Sequence, residues 1–155
     1  MTMVKRCLFL LLVLLIISCD SKRIYESDID FENEVWHMDS VSIFEFNIED
    51  QIPKNLAVKL RNDLTYPYQN LYLNYKLKDL EGNVLNSELV NLKLFDEKTG
   101  KPQGKGNSVY QFKEVVLKDF VFPGAGFYTI EFSQYMRVSA LSGTYSIGLR
   151  VEDSE

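Results

Sequence analysis

The sequence predicts an all-β protein, an antiparallel β-sandwich of immunoglobulin-like or jelly-roll-like type with about seven or eight strands. Three observations carry that expectation. Apolar and polar residues alternate with a period of two in one stretch after another, as in Phe44-Glu45-Phe46-Asn47-Ile48, the pattern of a strand with one face in a core and one in water. Turn-forming residues interrupt these stretches at Asp50–Pro53, Asn62–Pro67 and Glu81-Gly82-Asn83, where Asn, Asp, Gly and Pro favour chain reversal. The composition leans the same way, with 9 Tyr and 10 Phe beside a single Trp and a single His, since aromatic side chains fit the pleated surface of a sheet. A length of 155 residues suits one domain, and 46% hydrophobic with 25% charged residues are ordinary globular values.

The first eighteen residues stand outside that fold. Lys5 and Arg6 precede an unbroken apolar run from Cys7 to Ile17. The run is shorter than the ~20 residues a helix needs to cross a bilayer and has the form of a secretory signal peptide, expected over residues 1–18. It ends in Ile16-Ile17-Ser18-Cys19, which resembles the bacterial lipobox: an aliphatic residue, a tolerant position, a small residue and Cys. Cleavage before Cys19 would leave a thiol to carry diacylglycerol and an amine to carry a further acyl chain, and two or more chains hold a protein stably on a membrane where one does not. Cys7 leaves with the signal peptide, so the mature chain has one Cys, committed to lipid, and can form no internal disulfide. The loss of Lys5 and Arg6 takes the net charge from −5 to −7.

Residues 19–35, the lipidated Cys and the acidic stretch DSKRIYESDIDFENEV, are expected as a polar tether that could end in a short edge strand. A flexible tether of that length spans roughly 20–25 Å. Residues 36–155 are expected to form the single sandwich. Its strands are read from Val41–Ile48, from Leu56, Val58 and Leu60, from Leu71, Leu73, Tyr75 and Leu77, from Tyr128, Ile130 and Phe132, and from Tyr145, Ile147, Leu149 and Val151. The less regular Val84–Phe95 and Val109–Phe120 each read as one bent strand or two short ones. Pro123-Gly124-Ala125-Gly126-Phe127-Tyr128 places a Tyr after a Gly-rich corner and two residues before Ile130, which resembles the tyrosine corner of immunoglobulin-like domains.

The chemical inventory is thin. A net negative charge argues against a nucleic-acid surface, which needs clustered Lys and Arg. His37 is the only imidazole, so multi-His and Cys-held zinc sites are excluded, no G-x-S-x-G turn accompanies it, and no metal or cofactor is expected. Gly100-Lys101-Pro102-Gln103-Gly104-Lys105-Gly106 lacks the Gly spacing, the Ser or Thr after Lys and the following helix of a phosphate-binding loop. A carboxylate pair for glycoside hydrolysis remains open among 22 acids, and Tyr66, Tyr68 and Tyr72 could offer a platform to a sugar ring.

Taken together, Cys19, a Trp-containing entry, Tyr66-Pro67-Tyr68, Asn70-Leu71-Tyr72-Leu73, Val121-Phe122-Pro123, Gly126-Phe127-Tyr128, Gln134-Tyr135-Met136-Arg137, Leu141-Ser142-Gly143 and Gly148-Leu149-Arg150-Val151-Glu152 resemble the GldH family of gliding-motility lipoproteins of Bacteroidetes. The resemblance covers essentially the whole mature chain. It implies a non-enzymatic envelope lipoprotein needed for gliding, held to the membrane by its lipid, whose partners are envelope proteins of the gliding motor and the type 9 secretion machinery. It carries over no catalytic or ligand residue beyond the lipidated Cys19. End loops of a sandwich are natural partner surfaces, and the expected ones are Gln134, Tyr135, Met136 and Arg137 with the turn bearing Tyr66 and Tyr68; the alternative is a carbohydrate-binding lipoprotein. No acidic cluster directly follows Cys19, which favours a domain facing the periplasm, with the outer membrane preferred to the inner.

Overall fold

The computed structural model describes residues 22–154. Its strands are β1 (Arg23–Asp30), β2 (Val35–His37), β3 (Ser42–Ile48), β4 (Lys54–Asp63), β5 (Asn70–Asp79), β6 (Val84–Lys93), β7 (Lys105–Gly106), β8 (Val109–Phe120), β9 (Gly126–Gln134), β10 (Ala140–Ser142) and β11 (Thr144–Asp153). One antiparallel sheet runs β1-β11-β4-β8-β7, a second runs β3-β9-β5-β6, and β2 with β10 makes a small ribbon. Eight strands are seven residues or longer, as many as the sequence predicts, and the short β2, β7 and β10 are additional. The two ambiguous stretches are each a single strand. In β8 the length is accommodated by register shifts opposite Lys54–Ala57, where a bulge bends the strand.

The inward residues of both sheets make one core. Phe44, Phe46 and Ile48 of β3, Leu71, Leu73, Tyr75 and Leu77 of β5, and Ile130 and Phe132 of β9 meet Leu56, Val58 and Leu60 of β4 and Ile147, Leu149 and Val151 of β11 in a single buried cluster. The sheets therefore face one another, as alternation with a period of two requires when one side of each is apolar. Phe46 is a hub: its ring centroid lies 5.9 Å from that of Tyr25, 5.9 Å from Phe122 and 6.4 Å from Tyr128. Tyr128 also completes the corner that its sequence context suggests, because its hydroxyl donates to the Gly124 carbonyl at 2.8 Å while Ile130 is fully buried. At one end of the sandwich Trp36 is sealed in by Phe31, stacked at 4.9 Å, and its indole Nε1 donates to the Ser40 carbonyl at 3.0 Å.

The outer face of the first sheet is less wet than alternation alone suggests. Ala57 and Lys59 point away from the core, yet they are 0% and 5% exposed. Lys59 of β4 pairs with Gly148 of β11, and Gly148 pairs with Asp28 of β1. Because residue 148 has no side chain, the Lys59 ammonium reaches across β11 to Asp28 Oδ2 at 2.8 Å and Glu26 Oε1 at 2.7 Å. A Cβ on Gly148 would lie 2.1 Å from Asp28 Oδ1. Arg150 extends the network, with Nη1 3.0 Å from Glu26 and Nε 2.6 Å from Glu152. The hydrogen bond from Lys59 is the main cause that holds the Glu26 carboxyl down at a pKa of about 2. Desolvation works against the Lys59 charge, but the bonds to Asp28 and Glu26 outweigh it and raise its pKa.

This network changes the reading of the acidic N-terminal stretch. About half of the span expected as a tether is strand β1, paired with β11 from Arg23 to Asp30, followed by a tight turn at Glu32–Glu34 in which Asn33 and Glu34 have positive φ. Tyr25, Ile29 and Phe31 pack against the core, while Glu26 and Asp28 between them meet Lys59 and Glu26 also meets Arg150. The sandwich thus begins at residue 23 rather than 36, and only residues 20–22 lie between it and Cys19, the expected lipidation position.

Three outcomes test the fold. Phe46→Ala should lower unfolding stability by about 4 kcal/mol, and Gly148→Ala by about 2 kcal/mol through the clash with Asp28, both read from chemical denaturation. The depressed Glu26 pKa contributes stability above the ordinary carboxyl value of 4.5, and that contribution is lost as pH falls from there towards about 2. Urea midpoints measured across that window should fall less steeply in Lys59→Met than in the wild type; parallel curves would contradict the pairing.

Candidate functional site

The antiparallel connections sort the loops into two ends. At one lie the start of β1, the β3–β4 loop, the β5–β6 hairpin, the β8–β9 loop and the end of β11. Here Asp153 N donates to the Lys22 carbonyl at 2.9 Å, and the buried Lys54 ammonium binds Asp153 Oδ1 at 2.6 Å and also Asp50. Desolvation opposes the Lys54 charge, but its two carboxylates outweigh that and raise its pKa. The chain arrives from Cys19 at this end. The opposite end, a strand of eight residues away or about 25 Å at 3.3 Å per residue, carries the turn after β1, the β4–β5 turn, and the segments on either side of β10.

Both loops expected to meet partners lie at that distal end, and the structure brings them together. The β10–β11 turn at Gly143, with φ +72, lies so close to the β4–β5 turn that a Cβ there would sit 2.4 Å from Tyr66 N; Gly is the residue that permits both the left-handed conformation and the approach. Asp63 fastens the same junction: its carboxylate accepts from Thr65 N at 2.8 Å, Thr65 Oγ1 at 2.6 Å and the Tyr145 hydroxyl at 3.2 Å, and its backbone N donates to Gly143 O at 3.1 Å. Burial works against the Asp63 charge, but these bonds prevail and keep its pKa below the usual range. On the other side Tyr135 N donates to Tyr72 O at 2.8 Å, and the Met136 sulfur accepts from Tyr72 N at 3.1 Å.

The individual residues divide into holders and presenters. Gln134 is 1% exposed and staples its loop, donating from Nε2 to Val138 O and accepting at Oε1 from Met136 N, both at 2.8 Å. Tyr66 is also interior: its ring stacks on Phe95 at 6.3 Å and its hydroxyl donates to Asn70 O at 2.8 Å, while burial pushes its pKa up. A sugar platform using the Tyr66 face is therefore ruled out by its packing. Met136 is half-buried. Tyr135, 59% exposed, Tyr68 and Arg137 are left facing solvent, and Arg137 holds φ +59 without an ion pair to any described residue. Sequence reasoning gave Asp63 and Gly143 no part in joining these loops and read Tyr72 only as part of a sugar platform; the Asp63-x-Thr65 spacing of a side-chain-closed turn is the one signal that could have pointed to the first.

Cys19 lies outside the described residues. His37 is exposed on β2, opposite Ala140, and the 100–106 segment is a loop that ends in the two-residue β7, with Gly104 against the β8 backbone. Among the described residues no cluster of three His, Cys, Asp or Glu side chains is arranged to hold a metal, and no helix is long and apolar enough to cross a membrane.

A family model described as GldH lipoprotein matches residues 23–151, a span that starts at the first residue of β1 and ends within β11. A gliding motility lipoprotein GldH homolog of Christiangramia forsetii is 30% identical over 162 residues, covering 96% of this chain and 94% of the relative. Gliding motility lipoprotein GldH of Flavobacterium johnsoniae is 29% identical over 161 residues, covering 96% of each. These relatives are named as motility lipoproteins rather than as enzymes. Among solved structures, the VP2 subviral particle of infectious bursal disease virus aligns with a TM-score of 0.41 at 13% identity, over 82% of this chain and 32% of that one, a likeness too slight to bear on function. The resemblance carried by the spaced motifs and the match across the whole sandwich agree: this chain belongs to the GldH lipoprotein family.

Proposed function

We propose that this chain is a lipid-anchored protein of the cell envelope that serves gliding motility as a non-enzymatic binding component, beside the gliding motor and the type 9 secretion machinery. The observation that carries this reading is the family match over 23–151 together with relatives named gliding motility lipoproteins. The residues support it from two directions. Cys19 stands where an apolar run meets polar chain, the place a lipid is added, and the exposed Tyr68, Tyr135 and Arg137 stand at the end of the sandwich remote from it. Tyr and Arg are the side chains most often found to dominate protein–protein contacts, and a loop stapled by a buried Gln134 presents them at little ordering cost. The domain faces the periplasm, with the outer membrane as the preferred site, and its partners are other envelope proteins.

Cys19→Ser should abolish incorporation of labelled palmitate and shift the protein from the membrane to the soluble fraction; retention in the membrane would contradict the anchor. The double variant Tyr135→Ala, Arg137→Ala removes exposed side chains, so stability should change by no more than about 0.5 kcal/mol. Crosslinking in cells should then recover gliding or secretion components at least about fivefold less well than the wild type does, as hot-spot losses of more than 1 kcal/mol imply. Recovery of no such component by the wild type itself would overturn the proposed role.

A further inference from the structure

The anchor-side end of the sandwich carries apolar side chains at the tips of all three of its loops. Ile52 on the β3–β4 loop is 50% exposed, Leu80 on the β5–β6 hairpin 77% and Val121 on the β8–β9 loop 55%. Single exposed apolar residues are common; three on three converging loops form a distributed face. The loops that bear them are fixed. Ile52 N donates to Asp50 Oδ1 at 3.0 Å, Gln51 Nε2 donates to Pro123 O at 3.1 Å and ties two of the loops together, and Asn83 N donates to Asp79 Oδ1 at 2.8 Å across the hairpin. Phe122, buried against Phe46 and Tyr128, directs its neighbour Val121 outward.

The length of chain before β1 decides what covers this face. Lys22 is tied to Asp153 within the fold, and Cys19 lies three residues earlier. Even fully extended, three residues span at most about 11 Å, so a lipid at Cys19 holds this end within the headgroup layer. We infer that Ile52, Leu80 and Val121 sit in the interfacial zone of the bilayer that holds the lipid, so that the domain stands upright on three apolar feet and presents Tyr68, Tyr135 and Arg137 outward. This inference rests on lipidation at Cys19. The same loops carry Glu49, Asp50 and Glu81, so the contact is apolar and needs no anionic lipid.

The test uses the mature lipidated protein in phosphatidylcholine vesicles. With Cys19 alkylated by its lipid, Leu80→Cys, Ile52→Cys and Tyr135→Cys each supply one free thiol for an environment-sensitive fluorophore. Probes at 80 and 52 should emit at shorter wavelength than the probe at 135 and be quenched several-fold more by spin-labelled lipids, with no change on adding salt. Protein that stays on the vesicles with all three probes in water would overturn the contact while leaving the anchor intact. Protein that does not stay on the vesicles would overturn both. Shielding at 80 and 52 without quenching by lipid would assign the face to a second copy of the chain and also overturn the inference.

Discussion

The ordering of the N-terminal stretch depends on the pairing of β1 with β11, and that pairing is reinforced by one lysine reaching over one glycine. Lys59 lies on the outer face of β4, with β11 between it and the acids of β1. A side chain at residue 148 would block the path; its absence lets the ammonium meet Glu26 and Asp28. A charge this buried is costly unless it is paired, so the lysine and the two acids require one another. The consequence is geometric as well as energetic. A stretch rich in acids and other polar residues becomes an edge strand, and the folded body starts four positions after Cys19.

That placement gives the two ends of the sandwich different tasks. The described residues include no Cys, so both ends of the sandwich are held by packing and polar bonds. At the anchor side Lys54 joins the β3–β4 loop to the last strand through Asp50 and Asp153. At the far side Asp63, Gly143 and Gln134 lock the loops that carry the exposed aromatics. If Cys19 carries the proposed lipid, a rigid β-body some 25 Å tall, by strand rise, offers a partner a surface at a set distance from the membrane. The proposed role is one of position rather than of chemistry, in keeping with a family whose members are named for a lipid and a motility.

The core was legible in the sequence because its code is local. Phe44, Phe46 and Ile48, or Leu71, Leu73, Tyr75 and Leu77, announce a buried face within a single strand, and Gly124 to Tyr128 announces its corner within five residues. What the sequence hid was set by distant partners. Glu26 and Asp28 look like tether residues until Lys59, more than thirty positions on, is seen to need them. Tyr66 looks like a surface aromatic until Phe95 covers it, and Gln134 looks like a contact residue until its amide is found bonded on both sides to its own loop. In the same way Ala57 and Lys59 follow the alternating pattern faithfully, but the outer face they occupy is roofed by charges from three other strands.

Amide hydrogen exchange of residues 23–30 in the mature protein tests the central claim most directly. If β1 belongs to the sheet, the amides that bond to β11 should exchange orders of magnitude more slowly than an unstructured chain, and Phe31, whose N–H donates to Tyr145 O at 2.8 Å, should be protected with them. Exchange of the whole segment at the rate of free peptide would contradict it, return these residues to the role of a tether and free the domain from the membrane surface.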